Sequence, residues 1–168
     1  MGRTVTLQGT PLELEGPELK VGDTAPNAIL SKDLATETSL EELGTGPVIY
    51  SVVPSLDTPV CALQTKRFNE EAAGMPNVRF VTISCDLPVA QDRFCGAEGI
   101  DAENLVVLSD HKQTSFGKAY GTLIPGLRIL CRALFVVDKD NTIQWLQYVP
   151  EVADHPDYDA ALKCAASL

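Results

Sequence analysis

The stretch Val48-Ile49-Tyr50-Ser51-Val52-Val53-Pro54-Ser55-Leu56-Asp57-Thr58-Pro59-Val60-Cys61 decides how this chain folds. Its first six residues are a short apolar run rich in β-branched side chains, as in a buried strand. Pro54, which has no N–H for a ladder, stops it. Thr58 is a good N-cap and Pro59 fits the first helical position. Cys61 then falls on the third helical residue, where backbone N–H groups lack intrahelical partners and the positive end of the helix dipole favours an anion. A helix start of this kind stabilises a thiolate.

A reactive thiol after a strand serves thiol–disulfide exchange, acyl transfer or peroxide reduction, and the rest of the chain must choose. The 168 residues and 18.1 kDa set the scale of one domain, residues 1–168, large enough to bury roughly 70% of its unfolded surface without staples. A net charge of −10 argues against nucleic acid or an anionic membrane as partner, because both reward basic patches. The first residues carry no apolar segment of signal-peptide length, and no apolar run approaches the ~20 residues of a membrane span. The expected location is the cytoplasm. Five cysteines are an odd number in a reducing compartment, which speaks against a fully paired structural set.

Outward from the opening stretch, the pattern alternates strands with helices. Thr4 to Gln8 and Leu12 to Leu14, joined by Gly9-Thr10-Pro11, predict an N-terminal β-hairpin, followed by a Gly- and Pro-punctuated loop through Pro26. Cys61 to Ala73 has helical spacing and ends at Gly74 and Pro76. Val78 to Ser84 and Leu105 to Leu108 read as buried strands, and Thr114 to Tyr120 as a short helix closed by Gly121. Ala133 to Val137 and Thr142 to Tyr148 flank a hairpin signal, and Tyr158 to Ala166 forms a terminal helix. The expected class is α/β, a thioredoxin-like fold with a mixed central sheet and helices on both faces.

A thioredoxin-type oxidoreductase would place a second cysteine three residues after the first, but Gln64 stands there. Another thiol, Cys95, lies downstream in Asp92-Arg93-Phe94-Cys95-Gly96-Ala97-Glu98-Gly99, a polar, glycine-flanked segment expected to be a mobile loop. Cys85 at a strand end, Cys131 and Cys164 are read as structural. His111 and His155 are the only histidines and have no ligand-like spacing with two cysteines, so no metal is expected. There is no dinucleotide fingerprint and no phosphate-binding loop, and no organic cofactor is implied.

Pro54, Thr58 and Cys61 together form Pro-x-x-x-Thr-x-x-Cys. With Arg-Phe-Cys-Gly-Ala-Glu-Gly at 93–99, Ser84-Cys85-Asp86-Leu87-Pro88, Ala119-Tyr120-Gly121 and Asp157-Tyr158-Asp159-Ala160-Ala161-Leu162, the chain resembles the peroxiredoxins over nearly its whole length. Within them it is most similar to the bacterial thiol peroxidases of the atypical two-cysteine subfamily. The resemblance implies that Cys61 is the peroxidatic cysteine and Cys95 the resolving one, with Thr58, Pro54 and Arg132 completing the active site. It also implies hydroperoxide substrates, thioredoxin as reductant and a homodimer.

The chemistry asks for these residue types. A thiolate attacks one peroxide oxygen in line with the O–O bond, giving a sulfenic acid and an oxyanion that must be stabilised as it develops. Ionisation alone is insufficient. An ordinary thiol is roughly 3% ionised at pH 7, so full ionisation gains only about thirtyfold, and nucleophilicity falls with basicity. The Thr58 hydroxyl, the Arg132 guanidinium and the helix-start N–H groups are the donors available for the remainder, and Pro54 would shield the sulfur from water. Two other classes use the same residues: a peroxide sensor that signals through oxidised Cys61, and an inactive thioredoxin-fold scaffold.

Overall fold

The computed structural model describes residues 2–168. Strands β1 (Arg3–Leu7) and β2 (Thr10–Leu14) form the expected N-terminal hairpin. Its two-residue turn places Gln8 at φ 51° and Gly9 at φ 82°, the pair of positive angles that matches the twist of hairpin strands. The Glu151 carboxylate seals this turn. It accepts from the Thr6 hydroxyl at 2.6 Å and from the N–H groups of Gln8 and Gly9 at 2.7 and 3.2 Å, and these bonds, Thr6 first, hold its pKa down at about 2.

The remaining elements follow in order: β3 (Ile29–Ser31), β4 (Glu37–Ser39), a 3-10 turn at Glu41–Leu43, β5 (Val48–Val52), α1 (Pro59–Ala73), β6 (Arg79–Ser84), α2 (Pro88–Glu98), β7 (Leu105–Ser109) and α3 (Ser115–Tyr120). Then come β8 (Leu123–Ile124), β9 (Ile129–Leu130), β10 (Ala133–Val137), β11 (Ile143–Tyr148) and α4 (Tyr158–Ala166). The central sheet runs β11-β10-β5-β6-β7-β3-β4. β5, β6 and β7 are parallel, and the flanking pairs are antiparallel. This is the mixed sheet that the alternating pattern predicts.

Strand alternation distributes the core to both faces. Val48, Tyr50, Val52, Val81, Ile83, Phe135 and Val137 face α3, whose Phe116 and Tyr120 stack at 4.0 Å. Ile49, Phe80, Leu134 and Val136 point the other way, onto Phe68 and Ala72 of α1 and Ala161, Leu162 and Ala165 of α4. Each fully buried large apolar side chain contributes about 1.5–3 kcal/mol, and a Phe→Ala truncation in such a core typically costs about 3–5 kcal/mol. The buried residues of α1 are Cys61, Gln64, Thr65, Phe68 and Ala72, one stripe at helical spacing. The apolar packing of Phe68 and Ala72 therefore fixes the rotation that brings Cys61 and Gln64 inward.

One expectation is corrected. The segment holding Cys95 is not a loop but the last turn of α2. Pro88 starts that helix, Pro88 and Gln91 are buried, and only Gly99, at φ 67°, is a true helix end, its N–H returning to the Cys95 carbonyl. Gly96 lies inside the helix. The stretch between Pro26 and Val48, to which the sequence pattern assigned no element, adds β3 and β4 to one sheet edge. Strands of three residues are too short to show a period of two.

Candidate active site

Cys61 sits beyond the carboxyl end of β5, on the third residue of α1, and is fully buried. Val53 and Leu56 enclose it, with Phe94 of α2 and Val107 of β7 packed against that cluster. Pro54 is buried beside Val53. The N-cap position is Thr58, as its extended backbone requires, but its side chain does not cap. Instead the Thr58 hydroxyl donates to the Ser55 carbonyl at 2.8 Å, because the turn folds that carbonyl back within its reach. Thr58 is exposed, at the outer rim of the site.

Arg132 bonds the sulfur directly. It directly precedes β10, is 2% exposed, and donates from Nη2 to the Cys61 Sγ at 3.3 Å. Its Nη1 donates to the Gln64 Oε1 at 2.9 Å and its Nε to the Val152 carbonyl at 2.9 Å. The Gln64 amide donates in turn to the Ser51 hydroxyl on β5 at 2.8 Å. The guanidinium fork is thus held at all three nitrogens. None of these hydrogen-bond partners is a carboxylate, and none of the ion pairs among the described residues involves Arg132. A buried cation without a counter-charge is unfavourable by several kcal/mol. Among the groups Arg132 bonds, the Cys61 sulfur alone can carry the opposing charge.

The structure therefore brings Cys61 and Arg132 together, buries Pro54 next to Val53 of the same cluster, and leaves Thr58 bonded to its own turn. Sequence reasoning missed Gln64 and the Val152 carbonyl. The signal for Gln64 was present, since it is a polar residue in the buried stripe of α1 three positions from the sulfur. A backbone carbonyl from a distant segment leaves no such trace.

Cys95 has different surroundings. It is half-buried, and burial, then the neighbouring Asp92 charge, push its thiol pKa up. Cys61 and Cys95 are both free thiols. Between their segments runs an open groove of about 500 Å³ lined by Ser55, Leu56, Asp86, Arg93, Phe94 and Glu98, among others. The remaining thiols are poor nucleophiles. Burial raises Cys85 and Cys131 to about 12 and also raises Cys164. A second cavity, about 230 Å³, lies at the opposite end of β5 beside Val48, Tyr50 and Arg79. Its polar groups serve the fold: Arg79 donates to the Leu43 and Gly44 carbonyls, and Asn141 donates to the Ala25 carbonyl.

A sheet of this topology, with a buried cysteine on the first turn of the helix after its central strand and an arginine fixed on the sulfur, defines a thiol-based redox protein. The chain matches the redoxin family over residues 20–162, and it belongs to that family. It is 49% identical to a thiol peroxidase of Oceanobacillus iheyensis across 94% of this chain and 95% of that protein. It is 45% identical to the thiol peroxidase of Bacillus subtilis across 98% and 97%. Among solved structures, a peroxiredoxin-like protein from Aquifex aeolicus superposes with a TM-score of 0.87 at 43% identity, covering 99% of this chain and 98% of the other. Among the described residues no helix is long and apolar enough to cross a membrane.

Proposed function

We propose that this chain is a cytoplasmic thiol peroxidase that reduces hydrogen peroxide and organic hydroperoxides through Cys61. The observation that carries the reading is the Arg132 guanidinium, buried without a carboxylate and bonded to the Cys61 sulfur at a helix start; the relatives' names support it. The Cys61 thiolate forms an S–O bond as the peroxide O–O bond breaks. The sulfur loses two electrons and becomes a sulfenic acid, and the departing alkoxide or hydroxide takes up a proton. Arg132 holds the thiolate and faces the charge developing on the leaving oxygen, and the free N–H groups at the start of α1 add to that field. Pro54 keeps water from the sulfur. Thr58, at the rim, donates to the incoming peroxide after its hydroxyl turns from the Ser55 carbonyl.

The Cys95 thiolate then attacks the sulfenic sulfur and expels hydroxide, which leaves as water. The product is a Cys61–Cys95 disulfide. A thioredoxin dithiol reduces it by exchange, supplying two electrons and two protons. The working unit in this proposal is a homodimer.

The test is one equivalent of peroxide followed by peptide mass spectrometry, then steady turnover with a thioredoxin system. A Cys61–Cys95 disulfide with continuous peroxide consumption is expected. Oxidation that stops after one equivalent despite reducing thioredoxin would assign the chain to sensing, and oxidation at another cysteine would remove Cys61 from its role.

A further inference from the structure

Asp86 stands just past the end of β6, between the two cysteine-bearing segments. Its carboxylate accepts three hydrogen bonds. Oδ1 takes the Ser55 hydroxyl at 2.7 Å, and Oδ2 takes the Leu56 N–H at 2.8 Å and the Ser84 hydroxyl at 2.7 Å. The first two hold the turn in front of Cys61. They seat Leu56, 3% exposed, against the sulfur, Val53 and Phe94. They also fix Ser55, whose carbonyl engages Thr58.

The third bond leads to the other helix. The Ser84 hydroxyl donates to Asp86 and accepts from the side-chain amide of Gln91 at 3.0 Å. Gln91 is in α2, is 2% exposed, and also donates to the Leu108 carbonyl at 2.9 Å. One unbroken chain of hydrogen bonds therefore runs from α2 through Gln91, Ser84 and Asp86 to the Ser55–Leu56 turn. Hydrogen bonds to a charged group are stronger than those between neutral groups, and the loss of one leaves buried partners unpaired. Release of either segment breaks a bond to the Ser84–Asp86 pair, on which the other segment is also held.

We propose that Asp86 is a positioning residue that couples the turn before Cys61 to the helix carrying Cys95, so that the two segments are released together. The proposal rests on the peroxidase function given above. Attack on peroxide needs Cys61 enclosed. Disulfide formation needs the two Cα atoms within about 7 Å and the sulfenic sulfur accessible. A common clamp makes exposure of one sulfur coincide with freedom of the other, which shortens the time an exposed sulfenic acid waits for its partner.

Asp86→Asn replaces one acceptor oxygen by a donor, so at least one of the three bonds is lost at nearly constant volume. Two rates separate positioning from general damage. Sulfenic acid formation, followed by mass spectrometry in a Cys95→Ser background, should slow about tenfold. With Cys95 present, disulfide formation should quicken, and the fraction of Cys61 over-oxidised to sulfinic acid at high peroxide should fall severalfold. Both rates slowing together, or neither changing, would overturn the proposal. Hydrogen exchange supplies a readout independent of peroxide chemistry: Asp86→Asn should lower protection in residues 55–62 and 88–98 alike, and a change confined to one segment refutes the coupling. Ser55→Ala, which spares the carboxylate, should give the same paired loss in milder form. Wild-type Cys61 that never reacts with peroxide would overturn the function while the exchange result still decides the coupling.

Discussion

Cys61 occupies the third residue of α1, fully buried, with a guanidinium on its sulfur. Cys95 occupies the last turn of α2, half-buried, beside Asp92, where carbonyl groups rather than N–H groups point outward. The first environment supports negative charge, and the second opposes it. The contrast extends to the helices. α1 spans fifteen residues and is anchored by Phe68 and Ala72 in the core. α2 spans eleven, buries only Pro88 and Gln91, and carries a glycine in its final turn. In the proposed reaction the two thiols divide the labour: Cys61 attacks peroxide from a helix start anchored in the core, and Cys95 resolves it from a helix with fewer buried anchors.

The largest break in this contrast is removal of each sulfur. Cys61→Ser should abolish peroxide reduction altogether, whereas Cys95→Ser should consume one equivalent and then stop, with Cys61 advancing to sulfinic acid. Full turnover by Cys95→Ser in a thioredoxin assay would transfer resolution to another cysteine. Next is Arg132→Met, expected to slow sulfenic acid formation by a factor of about 10²–10³, as loss of a preorganised donor does. Arg132→Lys keeps the charge without the planar fork and should fall between. A rate for Arg132→Met within threefold of wild type would remove the guanidinium from the reaction.

Smaller changes sharpen the comparison. Gln64→Leu keeps the volume in the α1 stripe but frees the Arg132 Nη1, and should slow the peroxide step about tenfold, the low end for a bond to a charged group, without altering the resolution rate. Gly96 is inside α2, and a Cβ there would meet nothing within 4 Å. Gly96→Ala should therefore stabilise the helix by up to about 1 kcal/mol. If α2 must unwind for Cys95 to reach Cys61, disulfide formation slows by up to about fivefold in rapid-quench measurements; an unchanged rate would mean that α2 moves as a rigid body. Smallest is Asp92→Asn. The Asp92 charge raises the Cys95 pKa after burial does, so its removal lowers that pKa, increases the thiolate fraction at pH 8 and should raise Cys95 alkylation a few-fold. No increase would leave burial as the sole cause.

The strand-to-helix stretch at 48–61 carries the architecture, because a buried strand, a proline stop and a capped helix start are local patterns that tertiary packing then reinforces. The hairpin, β5, β6, β7, β10, β11 and α4 were legible on the same grounds. β3 and β4 were not, since their pairing is decided by partners far along the chain. α2 misled because glycine and polar residues mark loops and solvent-facing helices alike, and only the buried Gln91 and the positive φ of Gly99 distinguish them. At the site, Cys61 was visible in a motif, whereas Arg132 was implied only by the family resemblance. The Thr58 hydroxyl was expected to serve the helix start and instead bonds Ser55, a choice made by the fold of the turn. Gln64 was seen only as the absence of a second cysteine.

The N-terminal hairpin has a reach beyond its own turn. The redoxin match begins at residue 20, after β2 has ended, so the first strands lie outside the part that defines the family. Yet Thr6 accepts from the Val152 N–H at 2.8 Å and donates its own N–H to the Pro150 carbonyl at 2.8 Å, and the Val152 carbonyl is what fixes the Arg132 Nε. A shortened protein trimmed to the family boundary, or a fusion spliced in there, would leave the segment carrying that carbonyl without its partner strand. The arginine would then keep its charge and lose its aim, so where a fusion tag is joined matters to the reaction.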